Sequence, residues 1–243
     1  MINCKKGEIV IHIKSIEDFD RVRTIDKEKY NKVYILIDND LNFAGVEFKP
    51  IDACGLDIVL QPYYSRKTIS NVVIDNDDNP ETGFFSQTGN FVMTNIDFEN
   101  YYVKGGVCTG GLVGSVRGDA FVSNCGISGI VEAEAYCGSM FGTTKKLNIA
   151  HSEIETNVSG KDIIGGISGI VDSVSLTNNI IHASVFAQKS AGAQGLIVGY
   201  NSEEQESKIR DMLLETLPLL RDSQTLEEKE LIRSLTNNGK CNY

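Results

Sequence analysis

The sequence predicts a mainly β fold, a parallel β-helix whose coils run about 24–30 residues, closed by an N-terminal strand–helix–strand cap and a C-terminal α-helical tail. Two observations carry this. A glycine-rich tetrapeptide theme recurs every 27 to 30 residues: Gly83-Phe84-Phe85-Ser86, Gly111-Leu112-Val113-Gly114, Ser139-Met140-Phe141-Gly142, Gly166-Ile167-Ser168-Gly169 and Leu196-Ile197-Val198-Gly199. Between the tetrads, apolar residues fall at every second position, the period of a strand with one buried face. Helical spacing is absent there, and β-branched residues dominate.

Aligning Asn71, Asn95, Asn124, His151 and Asn178 turns the intervening sequence into columns. Two residues earlier stand Ile69, Met93, Val122, Ile149 and Leu176; three later stand Ile74, Phe98, Ile127, Ile154 and Ile181. Phe91, Ala120, Leu147 and Val174 form a further apolar column, and Tyr102, Val131, Val158 and Val185 another. Stacked coils would lie about 4.8 Å apart and bury each column against itself. The Asn column is expected at a bend, its amides forming a ladder, while the glycines allow close backbone approach.

The ends read differently. Ile9, Ile11 and Ile13 alternate as a strand, Ser15 and Asp18 open a short helix burying Ile16, Phe19 and Val22, and Val33, Ile35 and Ile37 form a second strand. Residues 1–60 are therefore expected to cap the coils, which occupy residues 61–200. After Tyr200 the repetition is expected to stop. Ser202 to Gln205 should start a helix carrying Ile209, Leu213 and Leu217, ended by Pro218. Thr225 to Glu228 should start another with Leu231, Ile232 and Leu235, stopped at Gly239. Residues 201–243 would then be a two-helix cap or a dimerisation tail, with homodimer contacts within 202–238.

The tetrads, with Thr68-Ile69-Ser70-Asn71, Asp38-Asn39-Asp40-Leu41 and Pro50-Ile51, resemble the GLUG-motif repeat family over about residues 8–200. The resemblance implies a β-solenoid scaffold of the kind found in bacterial surface or secreted proteins, more than it implies an activity.

A net charge of −10 disfavours nucleic acid or anionic membrane as a direct partner. The six cysteines (Cys4, Cys54, Cys108, Cys125, Cys137, Cys241) show no CxxC or metal-ligand spacing. Free thiols in a reducing compartment are the simplest reading. Neither a signal peptide nor an 18-residue apolar run is present in this sequence, so a cytoplasmic location is expected. The Asp38-Asp40-Asn42 and Asp75-Asp77-Asn79 triplets lack the glycine and glutamate of a calcium loop and read as turns. No metal or cofactor is expected.

The outward columns are where a solenoid would carry chemistry. Asp97, Gly126, Glu153 and Ile180 should share one, and Glu99, Ser128, Glu155 and His182 the next. Glu155 and His182, one coil apart, are the only catalytic candidates, as an acid/base pair; Asp97 with Glu99, or Glu153 with Glu155, could hold a glycosidase carboxylate spacing. Solvated strands carry such residues anyway. Asp97, Glu99, Tyr101, Glu153 and Glu155 are thus read as a binding surface, with Tyr101 facing outward and Tyr63-Tyr64 near the first coils. The expected function is a non-enzymatic, protein-binding scaffold acting through an acidic β-helix face, as an inhibitor or immunity factor of bacterial or mobile-element origin. The alternatives are a surface or secreted module that binds or cleaves polysaccharide, and an inhibitor that mimics nucleic acid.

Overall fold

The structure, a computed structural model, describes residues 4–76, 79–187, 193–201, 208–210 and 213–215 of the 243-residue chain. Short strands wind into a parallel β-solenoid with three walls: a twelve-stranded, an eight-stranded and a five-stranded sheet. Every strand pair is parallel, each strand lying on its counterpart from the neighbouring coil.

The apolar columns are the core. In the twelve-stranded sheet, Val33, Ile58, Phe91, Ala120, Leu147 and Val174 stack in register, as do Ile35, Leu60, Met93, Val122, Ile149 and Leu176. In the eight-stranded sheet Ile69, Phe98, Ile127, Ile154 and Ile181 form one buried column; Ile74, Val103, Val131, Val158 and Val185 form the next. The predicted stacking of Ile127 on Ile154 is therefore present.

The first coil is aligned differently from the expectation. Ile69 lies beside Phe98 rather than Met93, and Ile74 beside Val103 rather than Phe98. Asn71 accordingly belongs to a second ladder, in which its amide donates to Asn42 Oδ1 at 2.8 Å and receives the Asn100 amide. Asn95 and Asn124 form the other, with the Asn124 amide donating to Asn95 Oδ1 at 2.5 Å. Asn71, Asn95, Asn100, Asn124, His151 and Asn178 all have φ between 50° and 59°, a left-handed bend that Asn tolerates better than most residues.

The tetrads sit at a corner, with bends at residues 83–84, 111–112 and 139–140. Their third residues, Phe85, Val113, Phe141, Ser168 and Val198, stack in register as the alignment of the tetrads expects, while the preceding strand pairs one residue earlier, Thr82 with Thr109. A Cβ on Gly110 would come within 2.5 Å of the Val113 carbonyl oxygen and 2.6 Å of that of Met140. One on Gly114 would meet the Thr82 amide nitrogen at 2.6 Å. Backbone replaces side chain at both positions. The second residues of the tetrads, Leu112, Met140 and Ile167 among them, are buried in the core.

At the N-terminus the strands Glu8–Ile13 and Lys32–Ile37 join the twelve-stranded sheet as its first two members, linked by a 3-10 turn and the short helix Phe19–Arg23. The Asp18 carboxylate accepts the Lys14 and Ser15 backbone N–H groups, which hold its pKa below the usual carboxylate value. Phe19 and Val22 are buried and Ile16 half-buried. Phe19 meets Phe43, Phe48 and Phe84 with ring centroids 5.1–6.3 Å apart. The Arg23 guanidinium lies 5.0 Å from the Phe48 ring and donates to the Pro50 carbonyl at 2.7 Å and to that of Lys49.

The helix expected from Ser202 is corrected where that stretch is described. Lys208–Arg210 and Leu213–Glu215 are strands pairing with Ser175–Thr177 and Ile180–His182. The β-branched and leucine residues at that point extend the sheets, and available strand edges outweigh local helix propensity. The second expected helix, its dimer contacts and Cys241 lie outside the described residues. Among the described residues no helix is long and apolar enough to cross a membrane.

Candidate functional site

The outward residues of the eight-stranded sheet form four parallel columns. The first runs Thr68, Asp97, Gly126, Glu153, Ile180, and Ser128, Glu155 and His182 line up in the second beside Ser70 and Glu99. The third contains Val73, Tyr102, Ile130, Asn157 and Ser184; the fourth contains Asp75, Lys104, Glu132, Ser159 and Phe186. Strands spaced about 4.8 Å apart hold these side chains at fixed intervals.

The predicted residues divide into three groups. Glu99, Glu153 and Glu155 are exposed on this face, and Glu155 lies directly opposite His182. Asp97 faces outward too, but its carboxylate is engaged. It accepts Arg66 Nε at 2.7 Å and the Gly126 N–H at 2.7 Å, and pairs with a second guanidinium nitrogen. Arg66 also donates to Asn124 Oδ1 at 3.2 Å, clamping the corner. Gly126 makes this possible, because a Cβ there would lie 2.6 Å from Asp97 Oδ1.

Tyr101 requires correction. It points into the core, 2% exposed, and its hydroxyl donates to the Ser139 carbonyl at 2.8 Å. The cause is a bulge: Phe98 opposes Ile127, yet Tyr101 opposes Gly129, so three steps on one strand match two on the next. Asn100, at φ 50°, absorbs the extra residue and reverses the alternation. The ring then lies over Gly111 and Gly129, whose missing side chains leave room for it. Burial pushes its phenol pKa far above the ordinary value.

The same bulge turns Tyr102 outward, between Val73 and Ile130, which are 53% and 42% exposed. Partial burial and the neighbouring Glu132 carboxylate, to which Tyr102 is hydrogen-bonded, raise its pKa. Alternation in the sequence places Tyr102 in a core column, so this apolar strip is not visible in the repeat pattern. Lys104 pairs with Asp75 at 3.7 Å. Carboxylates outnumber cations on the face, with Asp75, Asp97, Glu99, Glu132, Glu153 and Glu155 set against Arg66 and Lys104.

The turn-like triplet at Asp38 uses its side-chain oxygens within the protein: Asp40 Oδ1 accepts the Thr68 N–H at 2.9 Å, and Asn42 Oδ1 accepts the Ala44 N–H at 3.0 Å. Among the described residues no group of three His, Cys, Asp or Glu side chains could hold a metal ion. Cys108 lies beside Tyr136 and Cys137 beside Thr109, one position out of line with each other. Burial pushes the Cys108 and Cys125 thiols up to about 11, and that of Cys137 further.

Comparison with known proteins gives a fold. No protein-family model matches the chain, and no curated protein matches it. The chain is similar to a crystal structure from Bacteroides ovatus, described as that of a candidate immunoglobulin A1 protease, at 16% identity and a TM-score of 0.50. The match covers 93% of this chain and 87% of the other. At that identity the two share a β-solenoid arrangement.

Proposed function

We propose that the chain is a non-enzymatic binding module that offers the outer face of its eight-stranded sheet to another protein. The observation that carries this reading is the outward apolar strip of exposed Val73, half-buried Tyr102 and exposed Ile130, flanked by carboxylates on a parallel sheet. Aromatic and aliphatic anchors inside a charged rim are what protein recognition uses, and a sheet already ordered by its neighbours loses little entropy on binding. Charge complementarity specifies the partner's chemistry: a segment whose Lys or Arg residues flank an apolar side chain. Five strands of about eight residues give a patch on the order of 500 Å². That is below the roughly 800 Å² per partner of a standard interface, so the complex should be transient and depend on few anchors. An inhibitor or immunity factor is the setting we infer, acting where no export is needed.

The test is capture from bacterial lysate by the whole chain, alongside Tyr102→Ala, Ile130→Asp and the opposite-face variant Asn148→Asp. A basic partner that is lost with the first two variants, retained with the third and weakened by salt supports the reading. A partner that survives Ile130→Asp places recognition elsewhere.

The second reading, a surface or secreted module that binds or cleaves polysaccharide, draws on the tetrad resemblance to GLUG repeats and on Glu155 facing His182 across a strand pair. Reducing-sugar release lost in both Glu155→Gln and His182→Ala would favour it over the first.

A further inference from the structure

A second candidate site lies at the N-terminal corner, on surfaces that the proposed binding face does not use. Three adjacent parallel strands, Glu8–Ile13, Lys32–Ile37 and Asp57–Pro62, end side by side. Their ladder continues one residue further, with Asp38 N–H donating to Ile13 O and Tyr63 N–H to Ile37 O, each at 2.9 Å. This continuation brings His12, Asp38 and Tyr63 together although they are far apart in sequence.

The imidazole is fixed from two sides. Its Nδ1 lies 2.8 Å from Asp38 Oδ1, and the Tyr63 ring stands edge-on to it with centroids 4.7 Å apart. In the neutral imidazole, donation from Nδ1–H to the carboxylate leaves Nε2 as a hydrogen-bond acceptor. His12 is 38% exposed at its side chain and Asp38 only 15%, so the carboxylate sits behind the ring. A cleft of about 540 Å³ opens here, lined by His12, Lys14, Asp18, Arg21, Asp38 and Tyr63. Arg21 leans on the His12 carbonyl at 3.3 Å and on Asp18 at 3.8 Å. Tyr64, 82% exposed, packs on Tyr63 with centroids 4.0 Å apart and extends an aromatic platform beside the cleft.

We propose that this corner binds a sugar bearing a carboxylate. Asp18 and Asp38 also line the cleft, but Asp18 accepts the Lys14 and Ser15 backbone N–H groups and Asp38 faces His12, which leaves the two cations to meet the ligand's charge. Lys14 and Arg21 attract the carboxylate through charge-assisted bonds. His12 Nε2 accepts a hydroxyl hydrogen, and the tyrosine faces take the C–H side of the pyranose ring. Asp38 is a positioning residue, acting through His12.

Isothermal titration of the whole chain with trigalacturonate tests the proposal, with neutral galactotriose and inorganic phosphate as comparison probes. Trigalacturonate should bind, galactotriose roughly tenfold more weakly or worse, and Lys14→Met/Arg21→Met should lose roughly tenfold through the missing charged bonds. Both side chains are at the surface, so this variant should fold. Histidine-labelled NMR should show the His12 Nε2 resonance moving with trigalacturonate and staying still with phosphate. Equal affinity for the neutral sugar, equal affinity for phosphate, absence of binding at millimolar sugar, or indifference to the double variant would each overturn the proposal. Tyr102→Ala should leave this binding intact, so failure here and failure of the protein-binding face are separable.

Discussion

At the scale of single residues, backbone bends and missing side chains decide where chemistry can sit. Gly126 is the plainest case. Its hydrogen is all that fits beneath Asp97, and the carboxylate then joins Arg66 to the next coil through the Gly126 N–H. Gly126→Ala should push the carboxylate away and cost about 1–3 kcal/mol, a melting shift of roughly 2–4 °C per kcal/mol. Asp97→Ala should cost a similar amount, and the double variant less than the sum, because both changes remove the same contacts. Denaturant titration of the set checks this. Asn124 provides a second test. At φ 54° it is left-handed, so Asn124→Ala should cost about 1–2 kcal/mol while Asn124→Gly recovers most of the backbone part. Equal losses would mean that the side-chain ladder, rather than the bend, is what Asn supplies.

Elements in this fold take their stability from the coil beside them. Helix Phe19–Arg23 is too short to hold itself together. It persists because Phe19 is buried among Phe43, Phe48 and Phe84. Phe19→Ala should therefore cost about 3–5 kcal/mol and loosen the N-terminal coil before the middle ones, seen as earlier amide exchange in Lys32–Ile37 than in Phe141–Ala150. The carboxyl side offers a complementary test. Strands Lys208–Arg210 and Leu213–Glu215 cover backbone edges of Ser168–Thr177 and Ile180–Ala187. A chain ending at Tyr200 leaves those edges open and should self-associate, read as a large species in size exclusion with light scattering. A truncated chain that remains monomeric would show that those pairings protect nothing.

Over the whole molecule, a stacked core that buries weak acids makes stability sensitive to base. Tyr101, Cys125 and Cys137 are all buried, and burial raises each pKa, that of Cys125 to about 11. In the unfolded chain these groups ionise at their ordinary values, so above those values the unfolded state binds fewer protons than the folded state. Stability is then fully present below about pH 8.5 and falls as pH rises, with a limiting slope of about 1.4 kcal/mol per pH unit for each buried group. Denaturation midpoints followed from neutral pH to pH 11 should show this decline, and Cys125→Ala/Cys137→Ala should flatten it once corrected for its lower neutral stability. A decline of unchanged slope would assign the effect to other groups. The same rigidity that gives this core its cooperativity holds the outward columns at constant spacing, which suits a face that binds without reorganising.

Much of this protein was legible in its residues because a solenoid repeats its physics. Alternating apolar residues with a recurrence of 27 to 30 can bury themselves only by stacking, which determines the walls, the core columns and the outward places of Glu99, Glu153, Glu155 and His182. Alignment alone could not reveal the bulge at Asn100. A single inserted residue exchanges inside and outside for all that follows, so Tyr101 is buried and Tyr102 faces outward. The spacing of 29 from Asn42 to Asn71 and again to Asn100 was the signal that two ladders exist. The His12 corner was beyond any linear reading, because His12, Asp38 and Tyr63 are brought together only by the register of three strands. Sequence determined which side chains repeat; tertiary pairing decided which of them meet, since a contact between coils depends on strand register as much as on residue identity.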